Sequence, residues 1–294
     1  MNDPVGILIV DKPSGITSHG VVGRVRKALG TRKVGHAGTL DPDATGVLVV
    51  GVGQATRLLG YLAASDKAYV STIILGESTV TDDAAGDVIA ATDTAGLSDS
   101  QIARAMSHFV GEIQQRPSAV SAIKLAGKRA YDLVRSGEHV ELSARPVTVH
   151  SFDLLGVRHE RRGERTVAMV DVSVDCSAGT YVRALARDLG QILGVGGHVS
   201  TLRRIRSGAF DLTDAKALEE LGVGGPLMSA AEAARRTLPA IEIDGDAARL
   251  ARHGVQLPWP AGVEGGSTAF IHGNDLVGVA QQRDDRAVWA AVFG

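Results

Sequence analysis

The first part of the chain carries apolar runs that are typical of buried strands. These runs are Gly6–Val10, Val47–Val52 and Tyr69–Leu75. Between the first two, apolar residues recur at helical spacing after Thr17 and Ser18, either of which can cap a helix that Gly30 ends. From Arg32 to Thr45, glycines and a proline break every regular pattern, so this segment is predicted to be a loop.

Apolar and polar residues alternate most regularly in Thr166–Cys176, which predicts a strand with one half-solvated face. The segment Gly179–Leu193 has helical spacing, and Ser98 with Gln101 predicts a capping box at the start of another helix. Strands mixed with helices in this way favour the α+β fold class with a central mixed or antiparallel sheet.

The pattern changes after Pro239, where short apolar segments are separated by glycine, proline, asparagine and aspartate. The residues from His272 to Asp275 predict a hairpin turn between two such segments. We therefore predict two domains: an α+β domain at residues 1–237 and a small β-rich domain at 238–294.

Composition narrows the class of protein. Hydrophobic residues make up 44% of the chain and charged residues 22%, as in globular proteins with a substantial core. The one cysteine, Cys176, excludes an internal disulfide and any zinc site that needs two cysteines. No apolar stretch is long enough to span a membrane, and the N-terminus lacks the features of a signal peptide, so we expect a cytoplasmic protein.

The net charge of −2 hides a segregated charge distribution. Basic residues cluster in 24–33, 116–135 and 203–206, whereas 77–99 carries six acidic residues and no lysine or arginine. Each basic cluster alone is typical of a solvated helix face. Together they indicate a surface that can contact nucleic-acid phosphates.

The segment Gly35–Gly46, with the sequence GHAGTLDPDATG, is the most unusual of the chain. It matches neither a phosphate-binding loop nor a dinucleotide fingerprint. It places the carboxylate of Asp41 beside a proline, with glycines that let a bulky partner approach the backbone. An ordinary Asp-Pro turn is the alternative interpretation, and composition alone favours it.

This segment resembles the G-H-x-G-T-L-D-P-x-A-x-G-x-L signature of the TruB family of tRNA pseudouridine synthases, matching every fixed position up to Leu48. Other motifs of that family follow in the same order, so that the resemblance covers about residues 5–225. They are D-K-P-x-G at 11–15, D-K-x-Y at 66–69, C-S-x-G-T-Y-V-R at 176–183 and the G-H-V and L-R-R segments at 197–199 and 202–204. The tail is more weakly similar to the PUA-like RNA-binding domain of these proteins.

The resemblance implies that the protein converts uridine to pseudouridine at position 55 in the T loop of tRNA. In this reaction Asp41 is the catalytic carboxylate, acting as nucleophile or base, and Arg183 is the cation that pairs with it. Tyr69 stacks on the uracil and assists proton transfer. Taken alone, Arg183 would be a surface helix residue and Tyr69 a core aromatic. Asp41 could attack C6 of the base, attack C1′, or remove the C2′ proton.

The family also implies a set of substrate contacts, because a stacked uridine must be flipped out of the T loop. His36 fills the gap that the base leaves, Leu202 forms an apolar wall of the uracil pocket, and Tyr181 belongs to the same motif as Arg183. An inserted arm at about 116–145 grips the T stem-loop. Candidate phosphate contacts are Lys12, Arg57, Lys124, Lys128 and Arg129.

Two departures from the family pattern concern RNA contacts. Val120 precedes Ser121 where an aromatic residue is common, and Val80 replaces the first aspartate of T-D-T-x-D-x-x-G. The reaction requires no cofactor and no metal. We expect a monomer that needs no protein partner and binds the T arm of tRNA.

Other classes remain as alternatives. An RNA-guided synthase of the dyskerin type would need protein partners and a fuller C-terminal domain. A non-catalytic RNA-binding or RNA-folding protein could share the fold. A metabolic enzyme with a glycine-rich loop would need a cofactor motif, which the sequence lacks.

Overall fold

The computed structural model describes residues 4–118, 124–125, 128–129, 142–220, 227–263 and 266–294. These residues form two compact units. The first unit combines Met1–Ala64 with Ser207–Gly294, and the second is Ser65–Arg206. The predicted domain boundary at residue 238 lies within the first unit, and the two-domain assignment stays a prediction.

The N-terminal part of the first unit is built on two long, buried strands. Its elements are β1 (Gly6–Lys12), α1 (Ser18–Leu29), β2 (Val34–Ala37), β3 (Thr45–Val52), a 3₁₀ helix (Gly53–Leu58) and α2 (Leu59–Ala63). Strands β1 and β3 pair antiparallel from Gly6 opposite Val52 to Lys12 opposite Gly46. Alternate side chains of both strands enter two different apolar clusters, which explains their nearly continuous hydrophobic sequence.

The predicted helix cap is confirmed, but the loop prediction is wrong in part. The Thr17 side chain accepts a hydrogen bond from the Gly20 amide at 2.9 Å, and Gly30 ends α1 with φ of 64°. Residues Val34–Ala37, inside the predicted loop, form strand β2 and pair with β3. Strand β2 forms because its backbone pairs with β3. Its short sequence, which contains Gly35, has no strong strand propensity and therefore did not predict it.

In its described residues, the second unit contains a five-stranded sheet, two helices and two short hairpins. Its elements are β4 (Lys67–Leu75), β5 (Glu77–Thr79), β6 (Val88–Ala91), α3 (Asp99–Ser107), β7 (Gly111–Gln115), β8 (Lys124–Leu125), β9 (Lys128–Arg129), β10 (Arg145–Arg162), β11 (Arg165–Cys176), α4 (Val182–Ile192) and β12 (Gly197–Ser207, whose last residue is counted in the first unit). The strand order in this sheet is β12-β4-β11-β10-β7.

The predictions for the second unit are confirmed in their main points. The Ser98 capping box with Gln101 starts α3. Strand β11 has the expected alternation, with Val170, Val172 and Val174 fully buried. Helix α4 begins three residues later than predicted, because Gly179 adopts a positive φ of 89° that ends the preceding turn.

The C-terminal part of the first unit contains a second sheet. Its elements are β13 (Phe210–Asp211), β14 (Lys216–Ala217), a 3₁₀ helix (Leu218–Glu220), α5 (Ala230–Thr237), β15 (Ala240–Glu242), α6 (Gly245–Arg252), β16 (Thr268–His272), β17 (Asp275–Arg283) and β18 (Arg286–Val292). Strand β14 pairs parallel with β1, so the sheet of this unit is mixed. The order β15-β16-β17-β18 and the turn at Gly273 confirm the predicted β-rich tail and hairpin.

Candidate active site

Asp41 lies in the loop between β2 and β3. It is half-buried, whereas the apolar residues on either side of it, Leu40 and Ala44, are buried at 4% exposure each. The Ala44 amide donates to the Asp41 carbonyl at 3.2 Å, which closes a turn around Pro42. The loop therefore contains the Asp-Pro turn together with the half-buried Asp41.

A serine of α1 fixes the residue that precedes Asp41. The Ser18 hydroxyl accepts a hydrogen bond from the Leu40 amide at 2.8 Å and donates to the Leu40 carbonyl at 3.0 Å. Ser18 is 1% exposed, so both bonds are shielded from water. Because a buried backbone group without a partner is costly, this pair defines the position of Leu40.

Lys12, at the end of β1, holds the other side of the same loop. Its side chain is fully buried, and its Nζ donates to the carbonyls of Pro13, Ile16 and Pro42 at 2.9, 2.7 and 2.8 Å. The Pro42 carbonyl also accepts from the Gly15 amide at 3.0 Å. A buried ammonium needs such acceptors. The geometry therefore supports a role in holding the loop and gives no support to the predicted phosphate contact at Lys12.

Two further predicted residues lie in the first unit. His36 is half-buried on β2, opposite Val50 of β3. Arg57 is exposed in the 3₁₀ helix, where its guanidinium donates to the Val292 carbonyl and lies 6.0 Å from the centre of the Phe293 ring. Its cation is therefore placed against the last strand of the tail, and phosphate binding there stays a prediction.

Tyr69 and its neighbour Lys67 lie on β4, and both are buried. Burial, with the charge of Arg204 as the next cause, lowers the pKa of the Lys67 ammonium to about 8. Cys176 pairs with Lys67 across the two strands, and burial raises the pKa of its thiol to about 11. Tyr69 therefore lies on a pair of strands that also carries two buried ionisable groups, the Lys67 ammonium and the Cys176 thiol.

Arg183 is one of the buried cations of the second unit. Its side chain is 7% exposed and donates to the Thr81 carbonyl at 3.0 Å and to the Asp83 carboxylate at 3.1 Å. The sequence did not single out Asp83, although it occupies the second aspartate position of the T-D-T-x-D-x-x-G stretch. Its place in that motif is the sequence signal that could have identified Asp83 as a site residue. The predicted pair between Arg183 and Asp41 joins residues of the two units and stays a prediction.

Tyr181 precedes α4 and is held through its backbone. Its amide donates to the Gln115 side chain at 2.8 Å, and its carbonyl accepts from the Gln115 side chain at 3.1 Å. The Arg145 guanidinium lies 5.1 Å from the centre of its ring. The segment that leads into Arg183 is therefore tied to both ends of the predicted RNA-gripping insert.

Of the remaining basic and pocket residues, the structure describes the side chains of Leu202 and Arg204 but not those of the three candidate phosphate contacts in the insert. Leu202 is half-buried on β12, where a role as a pocket wall stays a prediction. Arg204, in the third basic cluster, is 1% exposed and therefore does not belong to a phosphate-binding surface. The side chains of Lys124, Lys128 and Arg129 lie outside the described part of the structure, where only the backbone of the β8–β9 hairpin is defined.

Within the described ranges, no three histidine, cysteine, aspartate or glutamate side chains are grouped so that they could hold a metal ion. The helices in those ranges also include none with the length and apolar character needed to cross a membrane.

Comparison with known proteins places these features in a family. Residues 26–182 match the family model of the TruB family pseudouridylate synthase N-terminal domain, and residues 183–225 match that of the tRNA pseudouridylate synthase B C-terminal domain. A protein named tRNA pseudouridine synthase B from an Arthrobacter species is 54% identical over 87% of this chain and 83% of its own length. One of the same name from Rhodococcus jostii is 50% identical over 96% and 92%.

Among solved structures, a chain from a structure described as an H/ACA RNP bound to a substrate RNA containing 2′-deoxyuridine superimposes with a TM-score of 0.72. It is 27% identical, and the match covers 98% of this chain and 85% of that chain.

Proposed function

The chain belongs to the TruB family of pseudouridine synthases, an isomerase family, and we propose that it converts uridine to pseudouridine at position 55 in the T loop of tRNA. The observation that carries the proposal is the Asp41 loop. It matches the family signature throughout, and Lys12 and Ser18 form hydrogen bonds to the backbone on both sides of Asp41.

The reaction breaks the N1–C1′ bond, turns the uracil and joins C5 to C1′, while the proton of C5 leaves and N1 gains one. Atoms balance without an oxidant, a reductant or a cofactor. Asp41 supplies the carboxylate as nucleophile or base, and a positioned carboxylate suits either role. Arg183, buried and held by Asp83, supplies the positive charge that keeps such a carboxylate ionised.

The other site residues act on the flipped base. Tyr69 stacks on the uracil and assists loss of the C5 proton, and Leu202 and Tyr181 line its pocket. His36 occupies the place that the uridine leaves in the T loop. Each of these roles follows from the position of the residue in a family motif.

Binding of tRNA uses regions around the site. The catalytic domain at 1–237, its insert at about 116–145 and the PUA-like tail at 238–294 each contribute contacts. Lys124, Lys128, Arg129 and Arg57 contact phosphates. We propose that the protein acts in the cytoplasm as a monomer without an obligatory protein partner. The dyskerin-type alternative would instead require an assembled ribonucleoprotein for activity.

The test is an isosteric substitution with a matched control in the same loop. Asp41→Asn keeps the side-chain size but removes the negative charge that all three candidate mechanisms use. Asp43 is exposed two residues further on, so Asp43→Asn changes the net charge of the loop equally. Purified protein is incubated with an unmodified T-arm stem-loop, and pseudouridine is mapped chemically.

We expect Asp41→Asn to fall to background while its affinity for the stem-loop stays within about an order of magnitude, or 1.4 kcal/mol. Asp43→Asn should retain most of the wild-type rate. Substantial turnover by Asp41→Asn would refute the catalytic assignment. An inactive wild-type protein on a T-arm substrate would refute the proposed substrate or the stand-alone form.

A further inference from the structure

Helix α4 carries a second arginine, Arg187, one turn after Arg183. Residues at i and i+4 lie on the same face of a helix. The Arg187 guanidinium makes three contacts in the second unit. They are the Asp82 carboxylate at 3.0 Å, the Asp188 carboxylate at 2.8 Å and the Arg116 carbonyl at 2.8 Å.

Asp82 is the residue next to Asp83, which holds Arg183. Two adjacent carboxylates therefore bind two arginines that are one helical turn apart. Asp82 is 8% exposed and has a φ of 60°, a left-handed conformation that residues other than glycine adopt infrequently. Its carbonyl also accepts a hydrogen bond from the Val199 amide at 3.0 Å. The loop is thus held in an unfavourable conformation by specific bonds.

The Asp82 carboxylate depends on its cation. Burial raises its pKa, and the neighbouring Ser118 hydroxyl, the Arg187 guanidinium and the charge of Arg183 act in the opposite direction. Loss of Arg187 would leave a buried carboxylate with weaker compensation, and such a group either protonates or moves toward water. In both cases the turn that presents Asp83 loses a restraint.

Arg187 also contacts the base of the predicted insert. It binds the carbonyl of Arg116, the residue after Gln115, whose side chain brackets the backbone of Tyr181. At the other end of the insert, Arg145 donates to the Gly179 carbonyl at 3.2 Å. Both ends are therefore bonded to the segment that carries Arg183.

We propose that Arg187 is a positioning residue of this enzyme, which fixes the Asp82–Asp83 turn and hence Arg183, and which links that turn to the base of the RNA-binding insert. This inference rests on the proposed function, since its effect is read in the isomerisation rate. Arg187 itself does not touch the reacting base.

The main test compares Arg187→Gln with Arg158→Gln in single-turnover reactions at saturating stem-loop. Arg158 is a matched control, because it forms an ion pair with Asp171 at 3.0 Å on β10 and β11, but its side chain is 59% exposed. We expect about a tenfold lower rate for Arg187→Gln with an affinity within about twofold of wild type, and no change for Arg158→Gln. Arg187→Lys, which keeps one charged donor, should recover part of the rate.

A double-mutant cycle separates positioning from general destabilisation. If Arg187 acts through the Asp83–Arg183 ion pair, its substitution should have a smaller effect once Asp83→Asn has removed that ion pair. The pH profile gives a second readout: removing the cation raises the pKa of Asp82 further, so the acid limb of the rate should move to higher pH in Arg187→Gln.

Equal effects of Arg187→Gln in the wild-type and Asp83→Asn backgrounds would overturn the inference, as would a wild-type rate. If Arg187→Gln does not fold, the isosteric Asp82→Asn takes its place in the same cycle with the same two outcomes. If the wild-type protein is active and the variants react at the same rate, this inference is refuted and the proposed function stands. An inactive wild-type protein refutes the proposed function.

Discussion

Replacing Lys12 with methionine would test whether the Asp41 loop depends on a buried ammonium. Methionine retains an unbranched side chain of similar length, so the apolar packing of the stem is largely kept. The Nζ donor is lost, and with it the bonds to the carbonyls of Pro13, Ile16 and Pro42. The Pro42 carbonyl keeps a second donor, the Gly15 amide.

The expected magnitude follows from two opposing terms. A hydrogen bond to a charged group contributes about 1.5–3 kcal/mol, and three such bonds are lost. Burying the ammonium costs several kcal/mol, and methionine avoids this cost. Because Pro13 and Ile16 are half-buried, water can also replace part of what they lose. We therefore expect the free energy of unfolding to fall by about 2–4 kcal/mol.

The rate should fall by more than the loss of folded protein explains. A displacement of about 1 Å in a catalytic group can lower a rate by about two orders of magnitude, and Pro42, next to Asp41, is one of the three acceptors. Urea unfolding measures the stability, and single-turnover kinetics on the T-arm stem-loop measure the rate. Lys27→Met, at an exposed position of α1, is the control. Wild-type stability and rate in Lys12→Met would refute the reasoning.

Two other predictions concern stability. Ser18→Ala leaves both buried backbone groups of Leu40 without their partner and should lower the free energy of unfolding by about 2 kcal/mol in urea titrations; an unchanged midpoint would contradict this. The Lys67 pKa is lowered from 10.5 to about 8, so between these values the unfolded chain binds the proton and the folded chain does not, and stability should rise with pH from about 8. The Cys176 thiol, raised from 9.0 to about 11, acts oppositely above pH 9. Lys67→Met should remove the rise between pH 8 and 9, and its persistence would contradict the assignment.

Sequence patterns identified the elements whose signals are local. The cap of α1, the capping box of α3 and the alternation of β11 each depend on residues a few positions apart, and each is confirmed. Strand β2 and helix α6 were missed. Strand β2 is defined by its ladder to β3, and the α6 segment begins with Gly245 and offers only a short apolar stripe after its Asp244 cap.

The site was predictable to a different extent. Asp41 and Arg183 were predicted as site residues through family motifs, because neither residue type nor spacing alone singles them out. The structural role of Lys12 was hidden, since a lysine is read as a surface residue unless its acceptors are known. Arg187 and Asp82 are 105 positions apart in the sequence, and only the fold shows that they pair.

The contacts that hold the Asp41 loop and those that hold Arg183 differ in how far apart their partners are in the sequence. The Asp41 loop is held by contacts that span 22 and 30 positions of the chain, from Ser18 and Lys12. Arg183 is held by contacts that span about 100 positions, from Thr81 and Asp83. Short-range contacts cost less chain entropy to form than long-range ones. The carboxylate is therefore placed by local structure that forms readily, whereas the placement of the cation requires the complete packing of the second unit. For this reason we expect substitutions around Arg183 to act through the packing of the Asp82–Asp83 turn in the second unit, and substitutions around Asp41 to act through the loop and the β1 and α1 residues that hold it.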